Sequence, residues 1–324
     1  MGDSLNGLPP PVPSTSDAEP EGPVMPHADL LERGHPFRQW KSWAIPGTGV
    51  TMSGYSRSND KTFFHLPELR AGIDCGLVEG WQPDTVFLTH THMDHSKDLD
   101  YVAVKESGVD IYLPAAAVPF AQGYIQATSS LNHNAPYDAS LAPAARLHGV
   151  RGGDEFAVGK RGAHRVRVVD CEHKVPCVGF AFSSVKRAIK PEFEALKADG
   201  RLLAAKRREG VEIDHEVVTP LFAFLGDTRP DVFTRSPWLL DYPVVVTECT
   251  FLDDDQLDRA RRIGHTVWSE LRPIVAANPA TTFVLTHFSL RHSDPEIVAF
   301  FDKQGLPNVV AWAHPCSRLP ESYQ

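Results

Sequence analysis

The sequence contains no apolar run approaching the roughly eighteen residues that a membrane-spanning helix requires. A membrane-embedded protein is therefore not expected. It also has no basic stretch followed by an apolar one near its start, so no secretory signal is expected. The opening is acidic, a poor match to an organellar transit peptide. Cysteine is sparse: Cys75, Cys171, Cys177, Cys249 and Cys316 make an odd count with no Cys-x-x-Cys pair. That excludes a disulfide scaffold and a thiolate zinc knuckle, and it fits a reducing, cytoplasmic setting. Positive charge is in deficit, with 32 Lys and Arg against 41 Asp and Glu and a net charge of −9. Nonspecific wrapping of nucleic acid is disfavoured at that balance. No repeat of fixed period is present.

What remains is a chain of 324 residues, 42% hydrophobic, enough for one large domain or two small ones. Residues 1–37 are rich in Pro, Ser, Asp and Glu and poor in large apolar groups, so they read as a disordered tail. Residues 38–318 read as the folded domain and 319–324 as a short C-terminal tail. Within the domain, short apolar runs alternate with polar, helix-like stretches, which argues for a layered α/β fold. Helices are expected over Pro191–Ala205, Asp254–Ile263, Thr266–Ala276 and Pro295–Phe301.

The apolar runs end in chemistry. Thr85–Thr89 leads to His90, and Val166–Asp170 is followed by His173. Leu221–Leu225 leads to Gly226 and Asp227, Val244–Thr247 to Glu248, and Thr282–Thr286 to His287. Five strands thus deliver an acid or imidazole at their C-terminal ends, where loops converge in open α/β sheets. The densest cluster is His90-Thr91-His92-Met93-Asp94-His95. Imidazole and carboxylate together suit zinc and tolerate manganese, iron or nickel. A single ion needs three or four protein ligands. His90, His92, Asp94, His95, His173, Asp227 and His287 make seven, which suits two ions sharing one carboxylate. His133, His148, His164, His215 and His314 read as ordinary histidines with no ligand role.

The His-x-His-x-Asp-His signature resembles the metallo-β-lactamase superfamily, whose fold is a four-layer αβ/βα sandwich. Five ordered blocks resemble the tRNase Z family in particular: LTHTHMDHSKDL, HKVPCVGFAF, FLGDTRPDVF, VTECTFLDDD and VLTHFSLRHS. GVEIDHEVVTP and TFLDDD are closest to its short, plant-type members. The resemblance implies a zinc-dependent endoribonuclease that removes 3′ trailers from precursor tRNA. It implies two Zn²⁺, with Mn²⁺ or Fe²⁺ as alternatives: His90, His92 and His173 on one, Asp94, His95 and His287 on the other, Asp227 bridging. A hydroxide between the metals would attack the scissile phosphate, with Asp94 orienting it. Glu248 and His265 would form a pair that protonates the departing 3′ oxygen. Homodimerisation is implied by the same analogy.

Two departures accompany the resemblance. The protruding basic arm of many members, expected around Pro114–Val150, has few lysines here, and the Pro-x-Lys-x-Arg-Asn loop is replaced near Ser56–Lys61. These departures raise the alternative of a hydrolase of the same fold acting on a small phosphodiester or another small-molecule ester. Between Val185 and Arg208, however, eight Lys and Arg face three acids. Lys186, Arg187, Lys190, Lys206, Arg207 and Arg208 are candidates to bind RNA there.

Overall fold

A computed structural model describes residues 40–141 and 144–315. The expected tails, 1–37 and 319–324, and Cys316 lie outside them. Seven strands from the first half of the chain form one sheet in chain order: β1 (Lys41–Ile45), β2 (Val50–Arg57), β3 (Lys61–Leu66), β4 (Ala71–Ile73), β5 (Thr85–Phe87), β6 (Val109–Pro114) and β7 (Ala145–Val150). Seven from the second half form the other: β8 (Glu155–Val158), β9 (His164–Cys171), β10 (Cys177–Ile189), β11 (Asp214–Phe224), β12 (Val244–Glu248), β13 (Thr282–Thr286) and β14 (Val309–Ala311). Hairpins make the early pairs of each sheet antiparallel, and crossovers, helical except the loop between β4 and β5, make the later ones parallel.

The sheets pack face to face through Met52, Phe64, Ile73 and Phe87 on one side and Val168, Phe180, Phe222 and Val246 on the other. Trp312 ties them further, its indole N–H donating to the Gly54 carbonyl at 3.1 Å. The outer face of the first sheet is covered by α2 (Leu99–Ala103) and α3 (Val118–His133). The outer face of the second is covered by α5 (Asp231–Arg235), α7 (Trp268–Ala277) and α8 (Asp294–Gln304). Helix, sheet, sheet, helix gives four layers, and it explains why β12 reads VVVTE: covered on both faces, it has no use for alternation.

The expected strands and helices occur, with shifts at their ends. The segment expected as one helix over Pro191–Ala205 is a 3₁₀ turn (Pro191–Leu196) and then α4 (Gly200–Arg208). Asp199 divides them, its carboxylate accepting the Arg201 and Leu202 N–H groups as an N-cap. This helical pair sits at the tip of the long β10–β11 hairpin, which pairs from Phe180 with Phe224 out to Ile189 with Asp214. Glu216 to Pro220 are exposed at every position, so both faces of that strand meet solvent and the hairpin stands out from the sandwich. The protrusion is therefore not where the resemblance led us to expect it. Pro114–Val150 instead supplies α3 and β7, with Ala121 and Ile125 buried against the first sheet. No helix among the described residues is long and apolar enough to cross a membrane.

Candidate metal centre

The strand ends converge as their pattern predicts. His90 and the short helix α1 (Met93–Ser96) follow β5, His173 follows β9, Asp227 follows β11, and His287 follows β13. Ligating atoms of His90, His92, His173 and Asp227 lie within 4.8 Å of one another, as do those of Asp94, His95 and His287. Nε2 of His173 lies 3.1 Å from Nδ1 of His92, and Nε2 of His95 lies 3.1 Å from Nε2 of His287. Asp227 sits between the groups, with carboxylate oxygens 3.6 Å from His95, 3.7 Å from His90 and 3.5 Å from His287.

Hydrogen bonds behind the rings decide what points inward. Nδ1 of His173 faces the Gly264 carbonyl at 3.0 Å, which only accepts, so Nδ1 carries the proton and Nε2 presents a lone pair. Asp74 does the same for His95 at 2.7 Å. The Thr250 hydroxyl donates to Glu248 at 2.5 Å, so it accepts from Nδ1 of His287 at 3.1 Å. Inward lone pairs about 3 Å apart repel one another unless a cation lies between them. The donor set therefore fits metal ions. The electrostatics agree: burial depresses His90 well below its ordinary value, and the neighbouring imidazoles push it further. Burial also opposes a charge on His95, yet Asp227 and Asp74 raise it to about 10, so its Nε2 carries a proton that a metal ion would displace to use the lone pair. Burial raises Asp227 less than His287 and His95 lower it, to about 2. A pocket that holds a carboxylate charged and favours a cation beside it binds divalent metal for the same reason.

Asp74 and Thr89 escaped the sequence reading. Asp74 takes the Thr89 N–H at 2.8 Å and its hydroxyl at 2.9 Å, while that oxygen lies 3.1 Å from Nδ1 of His90. One buried carboxylate thus steadies two ligands. Asp74 follows β4 as the ligands follow their strands, but that strand is only three residues long. Asp74 and His287 both adopt left-handed backbone, at φ 58° and 60°. Non-glycine residues hold that conformation where surrounding contacts impose it, commonly at functional sites. Gly264 is left-handed as well, and a Cβ there would lie 2.9 Å from the His173 Cα. Only glycine brings the two loops that close.

Glu248 and His265 meet at 2.8 Å. Glu248 also accepts the N–H groups of Thr228, Thr250 and Thr266, which fixes it completely. Burial opposes a charge on His265, but Glu248 raises the ring to about 9. His265 also lies within ligand distance of Asp227 and His287. Its Nδ1, 3.8 Å from Asp227, is bonded to Glu248 and so is not free to ligate, which leaves Nε2 as the nitrogen that can donate a proton. His92, Asp94, His173, Asp227, His265 and His287 line a cavity of about 880 Å³, whose wall also includes Ser58 and Asn59. Asn59 donates its N–H to Asp94 at 2.9 Å. Cys249, beside Glu248, is buried and packed.

The RNA-binding candidates lie elsewhere, on the hairpin. Lys190 pairs with Glu212 at 3.3 Å, Lys206 with Glu209 at 3.0 Å and Arg207 with Asp214 at 2.9 Å. Lys186, Arg187 and Arg208 have no ion pair among the described residues. The apparent excess of positive charge stopped at Arg208. The returning strand brings Glu209, Glu212, Asp214 and Glu216 back onto it, leaving eight cations against seven acids over 186–216. Of the other histidines, His148 bonds Asp110 at 2.8 Å and His133 bonds the Ser129 carbonyl within α3.

The two sheets and their four layers give the chain the metallo-β-lactamase fold, and its converging imidazoles and carboxylates could hold metal ions. Within that fold the chain is similar to ribonuclease Z proteins. It is 29% identical to tRNase Z TRZ1 of Arabidopsis thaliana over 79% of this chain and 91% of the relative. It is 27% identical to the chloroplastic tRNase Z TRZ2 of the same plant over 82% and 76%. The solved human short-form tRNase Z matches 83% of this chain and 92% of its own at 18% identity, with a TM-score of 0.44. No protein-family model matches the chain.

Proposed function

We propose that this chain is a zinc-dependent endoribonuclease that cuts precursor tRNA after the discriminator base and releases the 3′ trailer. The Glu248–His265 pair carries this reading, because a buried imidazole poised to donate suits the departure of an alkoxide. His90, His92 and His173 would hold one ion, Asp94, His95 and His287 the other, and Asp227 both. Such ions, when bound, supply an activated water and neutralise charge on the phosphate. Asp94, fixed by Asn59 and held below the usual carboxylate range despite its burial, accepts a hydrogen bond from the attacking water. His265 gives its proton to the 3′ oxygen as the P–O bond breaks. Glu248 keeps the ring oriented throughout. A cytoplasmic homodimer completes the reading, by analogy with the short relatives and from the four free, buried cysteines described.

The test is to incubate zinc-loaded protein with 5′-labelled precursor tRNA and map the product end, with Asp94→Ala as control. Cleavage just after the discriminator base, abolished by the substitution, is the expected result. An intact precursor beside a hydrolysed chromogenic diester would replace tRNA with a small phosphodiester.

A further inference from the structure

The cavity mouth carries four cations that the ligand chemistry does not use: Lys97, Lys174, Arg259 and Arg291. All four are exposed, and none forms an ion pair among the described residues. Cations thus outnumber the acids that the ligand set leaves over around this opening. Asp60 is the acid on this rim outside the ligand set, and it already accepts the Tyr55 hydroxyl at 2.6 Å. Met93 stands 60% exposed on the same rim, an apolar surface suited to a base.

Arg259 and Lys174 fall on one side of the centre and Lys97 on another. Arg259 lies over the Phe251 ring at 5.7 Å, and Phe251 is 6.4 Å from the His265 ring. Lys174 follows His173, whose ring is 4.9 Å from that of His265. These two cations therefore belong to the side of the proton donor. Lys97 ends the short helix that bears Asp94, and Asn59 bridges Asp94 to the neighbouring Ser58, whose N–H donates to Phe288. Arg291 lies in the same loop as Phe288, beyond His287. Lys97 therefore belongs to the side away from the donor, whereas the loop of Arg291 reaches both sides, since the His287 ring is 5.6 Å from that of His265 and the Ser289 N–H donates to the Thr250 carbonyl.

Resting on the endoribonuclease reading, we propose that the rim fixes the direction of the RNA strand. Arg259 and Lys174 hold phosphates upstream of the cut, while Lys97 holds the trailer. The chemistry sets this polarity. Water adds to phosphorus, the bond to the 3′ oxygen breaks, and the His265 proton passes to that oxygen. The nucleotide left with a 3′ hydroxyl therefore lies on the donor's side, and the trailer leaves from the other side with the 5′ phosphate. The grip is on backbone charge next to the cut, so it is independent of trailer sequence and weakens with salt.

The products allow the two sides to be measured without turnover. Zinc-loaded protein is titrated separately with mature tRNA ending in a 3′ hydroxyl and with a 5′-phosphorylated trailer oligonucleotide, at several salt concentrations. Lys97→Ala is expected to weaken the trailer about three- to tenfold and reduce its salt slope by about 0.7, leaving mature tRNA unchanged. Arg259→Ala is expected to do the reverse. Thermal melting of both variants checks that they are folded. Exchanged effects would overturn the polarity, and unaltered binding of both products would overturn the rim as a grip. If wild-type protein neither cuts precursor tRNA nor binds mature tRNA, the endoribonuclease reading itself fails.

Discussion

The metal end of the sandwich and the projecting hairpin are both dense in charge, and they use it oppositely. At the metal end, imidazoles and carboxylates from five strand ends are buried together with lone pairs facing inward. Such an arrangement is unfavourable without a cation, so the fold has committed packing energy to a binding function. On the hairpin, Lys190, Lys206 and Arg207 pair with acids close in sequence, and the acids nearly balance the cations in number. Exposed pairs of that kind contribute little to stability and leave little net field for a ligand. Density of charge is therefore a poor guide, and what matters is whether each charge already has a partner.

Three experiments would sharpen or break that contrast. His265→Ala should lower precursor cleavage by about 10²- to 10⁴-fold with bound metal unchanged. With a nitrophenyl diester, whose leaving group needs no proton, the loss should shrink to less than about tenfold. Equal losses on both substrates would show that the ring does not act as an acid. Asp74→Ala removes the carboxylate behind His95 and Thr89, and metal affinity should fall about 10- to 100-fold in a chelator competition. Wild-type affinity in that variant would mean that the ligands need no outer support. Arg207→Ala should change precursor tRNA affinity by less than about threefold, since Asp214 already occupies that guanidinium. A tenfold loss there would return the hairpin to the centre of recognition.

Much of the metal centre was legible because strand order and strand ends are written in the apolar runs. Val244–Thr247 and Thr282–Thr286 announce buried parallel strands, and each opens directly onto chemistry. Asp74 was missed because its strand is three residues long and ends in a left-handed turn that no apolar run betrays. The charge balance of the hairpin was not legible for another reason. Counting charges along a segment cannot show which acids a returning strand will lay beside them, as Glu212 and Asp214 do for Lys190 and Arg207. The break at Asp199 is a local cap that outweighed an otherwise helical composition.

The order of strands carries one more consequence. The first sheet is built entirely from the first half of the chain and the second entirely from the second half. Neither proposed ion would be held by one half alone: His90 and His92 come from the first with His173 from the second, and Asp94 and His95 from the first with His287 from the second. The buried Arg57–Asp294 pair crosses the same seam at 2.8 Å. Metal loading would thus act as a rivet through two plates, with the unloaded protein first loosening along the join while each plate keeps its own pleat.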